Sequence, residues 1–145
     1  MNDCPFCSDP EVKNRIIIEN DLAFAFPTLT PIVSGHILIC PKKHVQYYED
    51  LSAEEKEAIE DLRHKIKNAL KKVFKAEGFN YAWNEEKIGG QSVPHFHLHI
   101  VPRKEGDEGV YKYEPREFLY RPGPRTIVTP QEELKEVIDL IKKAL

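Results

Sequence analysis

The chain has 145 residues, 41% hydrophobic and 31% charged, with a formal net charge of −3. That is the size of one globular domain with its own core, and the charge balance excludes a protein that grips long nucleic acid through a basic stripe. No apolar run approaches the ~20 residues that span a bilayer, and the MNDCPFCSDP start lacks both parts of a secretory signal. The cytoplasm is therefore the expected location, a compartment that keeps the three cysteines reduced.

Cys4 and Cys7 form a C-x-x-C, which under reducing conditions reads as metal or redox chemistry. Arg15 to Glu19 predicts a first strand and Asn20-Asp21 a tight turn. Leu22, Phe24 and Phe26 alternate with Ala23 and Ala25, the period of a second strand. The proline-punctuated PTLTPIVSG is a loop, and His36 to Cys40 a third strand. Ser52-x-x-Glu55 has the form of a capping box opening a long helix, with an apolar stripe of Ile59, Leu62, Ile66, Ala69 and Val73. Gly78 is expected to end it. Phe79, Tyr81 and Trp83 alternate with polar or small residues in a fourth strand, and Gly89-Gly90 turns into a fifth, His95 to Val101. A last helix is expected from Thr129, with Pro130 at its first position, Glu132 completing a second capping box, and Leu134, Val137, Ile138, Ile141 and Leu145 buried. This order predicts an α+β fold with an antiparallel sheet.

His95-Phe96-His97-Leu98-His99-Ile100-Val101 is the most informative segment. In a strand, alternate side chains share a face, so three imidazoles would form a row with neighbours roughly 6.6 to 6.8 Å apart and the outer two ~13 Å apart. Such a row suits an extended ligand such as a chain of phosphates. At neutral pH imidazole is largely unprotonated, so one nitrogen is a nucleophile while the other carries the proton and is held. Attack on phosphorus through a covalent intermediate divides a hard displacement into two easier ones. Gly89-Gly90-Gln91-Ser92 immediately upstream can aim backbone and side-chain donors at phosphoryl oxygens. Two other readings of the row stand beside this one: a solvated face, and a H-x-H pair holding a hydrolytic zinc.

GGQSVPHFHLHIVPR, Gly89 to Arg103, and GHILICPKKH, Gly35 to His44, resemble the histidine-triad (HIT) family, whose motif is H-φ-H-φ-H-φ-φ. PRKEGD, Pro102 to Asp107, resembles its dinucleoside-polyphosphate hydrolase branch, and the Gly-Gly-Gln-Ser run its nucleoside phosphoramidase branch. The resemblance implies a single HIT domain over 1–145, with its core over about 4–103, a five-stranded sheet and a C-terminal extension with a helix over 104–145. It implies a nucleotidyl-histidine intermediate on His97 and contact of His99 with the α-phosphate, with Gln91, Ser92 and Asn84 nearby. His36 matches the histidine behind the nucleophile, and Phe6 and Phe26 match positions lining the base pocket. Thr28 stands where the family usually carries Asp or Asn at the ribose. A homodimer whose sheets join into one is implied as well, and the partner is a small nucleotide.

The cysteine pair supplies half of a tetrahedral zinc site. Bacterial and archaeal-type members of the family complete it with two histidines, and the matching positions here are His44 and His95. Zinc would then be structural and His95 unable to act as a proton donor. A pair of reduced thiols is the plain alternative; a thioredoxin-like motif is opposed by Asp9-Pro10, which would interrupt the helix it needs. Cys40 reads as a buried strand residue, His64 as solvated, and Lys42-Lys43 as a solvated pair. Tyr111, Lys112, Tyr113, Arg116, Tyr120, Arg121 and Arg125 interleave aromatic and basic character, which suits a cover over the second nucleotide of a long substrate; the prolines favour instead a fixed loop that packs on the dimer partner. Two functional classes rival the nucleotidyl enzyme: a zinc-dependent hydrolase using His97 and His99, and a non-catalytic nucleotide-binding adaptor.

Overall fold

A computed structural model describes residues 4–107 and 128–145. Five strands, β1 (Ile18–Glu19), β2 (Ala23–Pro27), β3 (Ile37–Pro41), β4 (Gly78–Ala82) and β5 (Leu98–Arg103), form one antiparallel sheet in the order β1-β2-β3-β5-β4. The helices are α1 (Pro5–Ser8), α2 (Pro10–Asn14), the long α3 (Ala53–Phe74) and the C-terminal α4 (Gln131–Ala144). The segment from Tyr111 to Arg125 lies outside the described residues.

Strand alternation divides the burial between two faces. Ala23, Ala25, Ile37, Ile39, Leu98 and Ile100 pack with Ile59, Leu62 and Ile66 of α3 and Leu134, Ile138 and Ile141 of α4. On the other face Phe24, Phe26, Leu38 and Cys40 meet Val12, with Phe6 and Ile16 against them. β2 and β3 are thus buried on both faces. The small alanines of β2 let the helix layer approach, while its phenylalanines floor the opposite side, where α1 and α2 cross.

Ser52 and Glu55 form the expected capping box, with Glu55 N–H donating to Ser52 Oγ (3.0 Å) and Ser52 N–H to Glu55 Oε1 (2.8 Å). Elsewhere the boundaries move. α3 ends at Phe74, with Lys75 left-handed at φ 56, and Gly78 instead opens β4 opposite Arg103. At the start of α4 no side chain caps the helix and Pro130 takes the cap position; Thr129 N–H is spent on the Leu29 carbonyl (2.8 Å), so no box forms with Glu132. The first strand shortens to Ile18–Glu19 because the Arg15 and Ile16 N–H groups close the end of α2 on the Val12 and Lys13 carbonyls; α2 itself is capped by the Asp9 carboxylate on Glu11 N–H. Asn20 makes the expected turn, its side chain accepting from Leu22 and Ala23 N–H. Among the described residues no helix is long and apolar enough to cross a membrane.

Candidate active site

The three histidines do not form a straight row. β5 begins only at Leu98, paired with Ile39. Continuing that register would bring His97 opposite Cys40 and Phe96 opposite Pro41, and a proline has no N–H to give to a ladder. The chain departs there: Phe96 N–H donates to the Val45 carbonyl (2.6 Å) instead. His95 turns toward the N-terminal segment, and only His97 and His99 remain neighbours, with ring centroids 5.0 Å apart. The expectation of three imidazoles in one evenly spaced row is corrected accordingly. Phe96, Leu98 and Ile100 do enter the core on the opposite side.

Hydrogen bonds fix which nitrogen of each ring carries the proton. His97 Nδ1 lies 2.8 Å from the His95 carbonyl, which only accepts; Nδ1 therefore holds the hydrogen and Nε2 the lone pair. Ile32 N–H donates to His36 Nδ1 (3.0 Å), so His36 carries its hydrogen on Nε2 and donates it to His99 Nδ1 (3.0 Å). In the neutral rings this leaves the His99 hydrogen on Nε2. The pair thus presents a nucleophilic nitrogen at His97 and a donor nitrogen at His99, a combination fitted to displacement at phosphorus. Thr28 is buried, its N–H bonded to the His36 carbonyl (3.2 Å) and its hydroxyl accepting from Thr30 N–H (3.3 Å).

The loop before β5 is held from one side by consecutive residues. Gln46 exchanges two bonds with Gln91: its carbonyl accepts from Gln91 Nε2 (3.2 Å) and its amide donates to Gln91 Oε1 (3.3 Å). Gln91 Oε1 also accepts from Glu86 N–H (3.1 Å), and Asn84 Nδ2 donates to the Gly90 carbonyl (3.4 Å). Gln91 is 4% exposed, so its amide organises the loop, while Ser92 is exposed. Gly90 turns at φ 98, as only glycine does cheaply. Glu86 stands at φ 64, ψ 159, a region open essentially to glycine and costing about 1–3 kcal/mol for another residue. Its carboxylate receives the Tyr47 hydroxyl, a tie that pushes the Tyr47 pKa up.

Cys4, Cys7, His44 and His95 come together from three parts of the chain, with their ligand atoms all within 4.8 Å of one another. His95 Nε2 donates to the Pro41 carbonyl (2.8 Å), which turns Nδ1 toward both sulfurs at 3.4 Å; His44 Nδ1 lies 3.4 Å from Cys7 Sγ. Two thiols and two imidazoles with a preset tautomer fit a tetrahedral cation such as zinc. Burial above all, set against the Pro41 bond, pushes the His95 ring down to about 4, so it would meet a cation as a neutral ring. Burial, and next Cys4, pushes the Cys7 thiol up to about 11, a protonation cost that a bound cation would offset. Burial also raises Cys40, which lies on β3 outside this set.

Phe6 lies between the two cysteines in the chain, and its ring touches the site beside them. It meets Phe26 (5.3 Å between centroids), His97 (5.1 Å) and His95 (5.8 Å) edge to face. With Ile16 and Phe24 it also lines a cleft of about 480 Å³ rimmed by Lys13, Glu19 and Lys42; Lys42 pairs with Glu19 at 2.8 Å. His64 is exposed on α3, as expected.

Gln46, Tyr47, Glu86 and the Ile32 N–H were not among the expected site residues. Nothing in their spacing marks them, because each acts through a contact that exists only after the sheet forms.

A family profile described as HIT domain matches residues 9–106. The bifunctional bis(5'-adenosyl)-triphosphatase/adenylylsulfatase of Arabidopsis thaliana is 30% identical over 138 residues, 95% of this chain and 70% of that protein. A HIT-like protein involved in cell-cycle regulation from Bartonella henselae superposes with a TM-score of 0.79 at 31% identity, covering 100% of this chain and 98% of that one. A Zn-bound histidine triad family protein from Mycobacterium smegmatis gives 0.73 at 25% identity, covering 98% and 92%.

Proposed function

Since the chain belongs to the histidine-triad family, we propose that it is a nucleotide hydrolase or nucleotidyl transferase acting at the α-phosphorus of a nucleoside phosphoramidate or dinucleoside polyphosphate. The observation that carries this reading is the His97 Nδ1–H bond to the His95 carbonyl, which leaves Nε2 as the nucleophilic nitrogen. Nε2 forms a bond to phosphorus as the bond to the leaving nucleotide or amine breaks. The His99 Nε2–H donates a hydrogen bond to the oxygens of the reacting phosphate without giving up its proton; a leaving nucleotide departs as its anion, and a leaving amine takes its proton from solvent. Water then attacks the phosphorus, its proton passing to solvent as the P–N bond breaks, and a nucleoside monophosphate leaves with His97 neutral again. Family membership and the plant relative's triphosphatase activity support hydrolysis.

Gly89-Gly90 and Ser92 supply donors for the phosphates, Asn84 and Gln91 shape that loop, Phe6 and Phe26 pack the base, and Thr28 lies toward the ribose. Zinc held by Cys4, Cys7, His44 and His95 would be structural, clamping the N-terminal segment to the catalytic histidines; the zinc-bound relative supports the choice of metal. The reducing cytoplasm suits such thiol ligands. Among the described residues β4 is an edge strand, beside half-exposed Tyr48, Tyr81 and Trp83, which supports a homodimer that extends the sheet. Clustering of the ligand atoms at the cysteines, away from the His97–His99 pair, favours this reading over a hydrolytic metal at the histidines.

The test is rapid mixing with an adenosine phosphoramidate followed by mass spectrometry of the peptide containing His97. A nucleotide adduct in the wild type, and neither adduct nor turnover in a folded His97→Ala variant, are expected. Turnover retained in that variant sinks the mechanism; nucleotide binding with no turnover by the wild type leaves a binding protein instead.

A further inference from the structure

Four consecutive residues after β3 each grip a different part of the site. His44 belongs to the cysteine cluster, the Val45 carbonyl holds Phe96 N–H, Gln46 holds Gln91, and Tyr47 holds Glu86. The last grip differs in kind. Gln91 is paired by groups in ordinary conformations, but Glu86 sits where a side chain is strongly disfavoured. Of the two described non-glycine residues with positive φ, Lys75 occupies the ordinary left-handed region at φ 56, ψ 36, whereas Glu86 lies outside it.

That conformation serves the loop in two directions. It aims the Glu86 N–H at Gln91 Oε1, and it lets the Glu86 carbonyl accept from both Gly89 N–H (3.0 Å) and Gln91 N–H (2.9 Å). Gly89 and Gln91 are therefore bonded directly to one strained residue, with Gly90 between them held by the Lys87 carbonyl and the Asn84 amide. Relaxed to a common conformation, Glu86 would withdraw these bonds, and the loop leading into His95 and His97 would lose its shape.

We propose that Tyr47 and Glu86 are positioning residues: the Tyr47 hydroxyl, bonded to the Glu86 carboxylate, holds Glu86 in its glycine-like conformation and so keeps the Gly89-Gly90-Gln91 loop ready for the nucleotide's phosphates. This rests on the nucleotide-binding reading above. Neither residue touches the reacting atoms. The half-exposed Tyr47 ring makes loss of its hydroxyl alone a mild change for the fold.

A substitution cycle tests it. Tyr47→Phe removes the clamp and leaves Glu86 to relax. The competent loop then becomes a fraction of the population, and affinity falls by that fraction. We expect roughly three- to tenfold weaker adenosine monophosphate binding and a matching rise in KM, with kcat changed less. Amide exchange over residues 87–91 accelerates. Adding Glu86→Gly recovers both properties, because glycine takes the conformation without a clamp. A tyrosine that contributed only bulk stability would gain nothing from the glycine.

Unchanged exchange in Tyr47→Phe overturns the clamp, and so does a double variant no better than the single one. Faster exchange with unchanged KM and affinity overturns the positioning role. If the wild type neither binds nor turns over adenosine nucleotides, the proposed function fails instead; the exchange measurements still decide the clamp.

Discussion

Acid should loosen this fold through His95 in a way that can be worked out in advance. The ring is fully buried and stays neutral down to about 4, while the unfolded chain protonates it near 6.5. Between those values the unfolded state binds one more proton than the folded state, so stability is complete above pH 6.5 and falls as pH drops toward 4. At roughly 1.4 kcal/mol per pH unit of separation, the metal-free protein should lose about 3 kcal/mol over that window. Set against the 5–15 kcal/mol typical of a domain, that is a large share. The assay is urea unfolding of reduced, chelator-treated protein at half-unit steps from pH 7.5 to 4, beside a His95→Asn variant that cannot titrate there. The variant cancels the contribution of carboxylates common to both. NMR titration of the His95 ring supplies an independent reading. A ring that titrates at 6 or above, or parallel loss of stability in the two proteins, would falsify the assignment of a neutral, buried ligand.

Other outcomes follow from the same geometry. Gly35→Ala should cost about 2–4 kcal/mol, since φ is +91 and the added Cβ would lie 3.0 Å from the Phe74 ring and 3.1 Å from Pro102; a melting temperature within a degree of wild type would count against it. On the proposed zinc site, chelation should remove about 4 kcal/mol when free zinc had been 1,000-fold above its Kd, and should weaken nucleotide binding through loss of Phe6 from its place against His97. Thermal melts and calorimetry with adenosine monophosphate measure the two effects, and equal melts before and after chelation speak against a structural ion. On the proposed dimer, Trp83→Glu, beside the edge strand β4, should shift sedimentation from dimer to monomer; a monomeric wild type at micromolar concentration disposes of the pairing.

Much of the architecture was legible where a periodicity has one physical cause. The alternation of Phe24 and Phe26 with Ala23 and Ala25 located β2, and Ser52 with Glu55 opened α3 where the box predicts. Boundaries were lost where a tertiary contact outbid a local signal: Thr129 spends its N–H on Leu29, and Lys75 takes the left-handed position that Gly78 was expected to fill. The start of β5, and with it the even row of histidines, was misread because a proline opposite it, Pro41, becomes relevant only once the register is known. The residue types of the metal cluster were visible, as was the resemblance that paired them. The Ile32 N–H that orients His36, and the Tyr47 hydroxyl that holds Glu86, were not, because a backbone donor or a lone tyrosine leaves no pattern in one sequence.

The peptide unit joining His95 to Phe96 is pinned at both ends, its oxygen by His97 and its N–H by Val45. Which nitrogen of His97 carries the proton is therefore written into the main chain, not into a neighbouring side chain. An apolar residue of similar volume in place of Phe96 would leave both backbone bonds, and with them the His97 tautomer, in place, which opens that position to redesign.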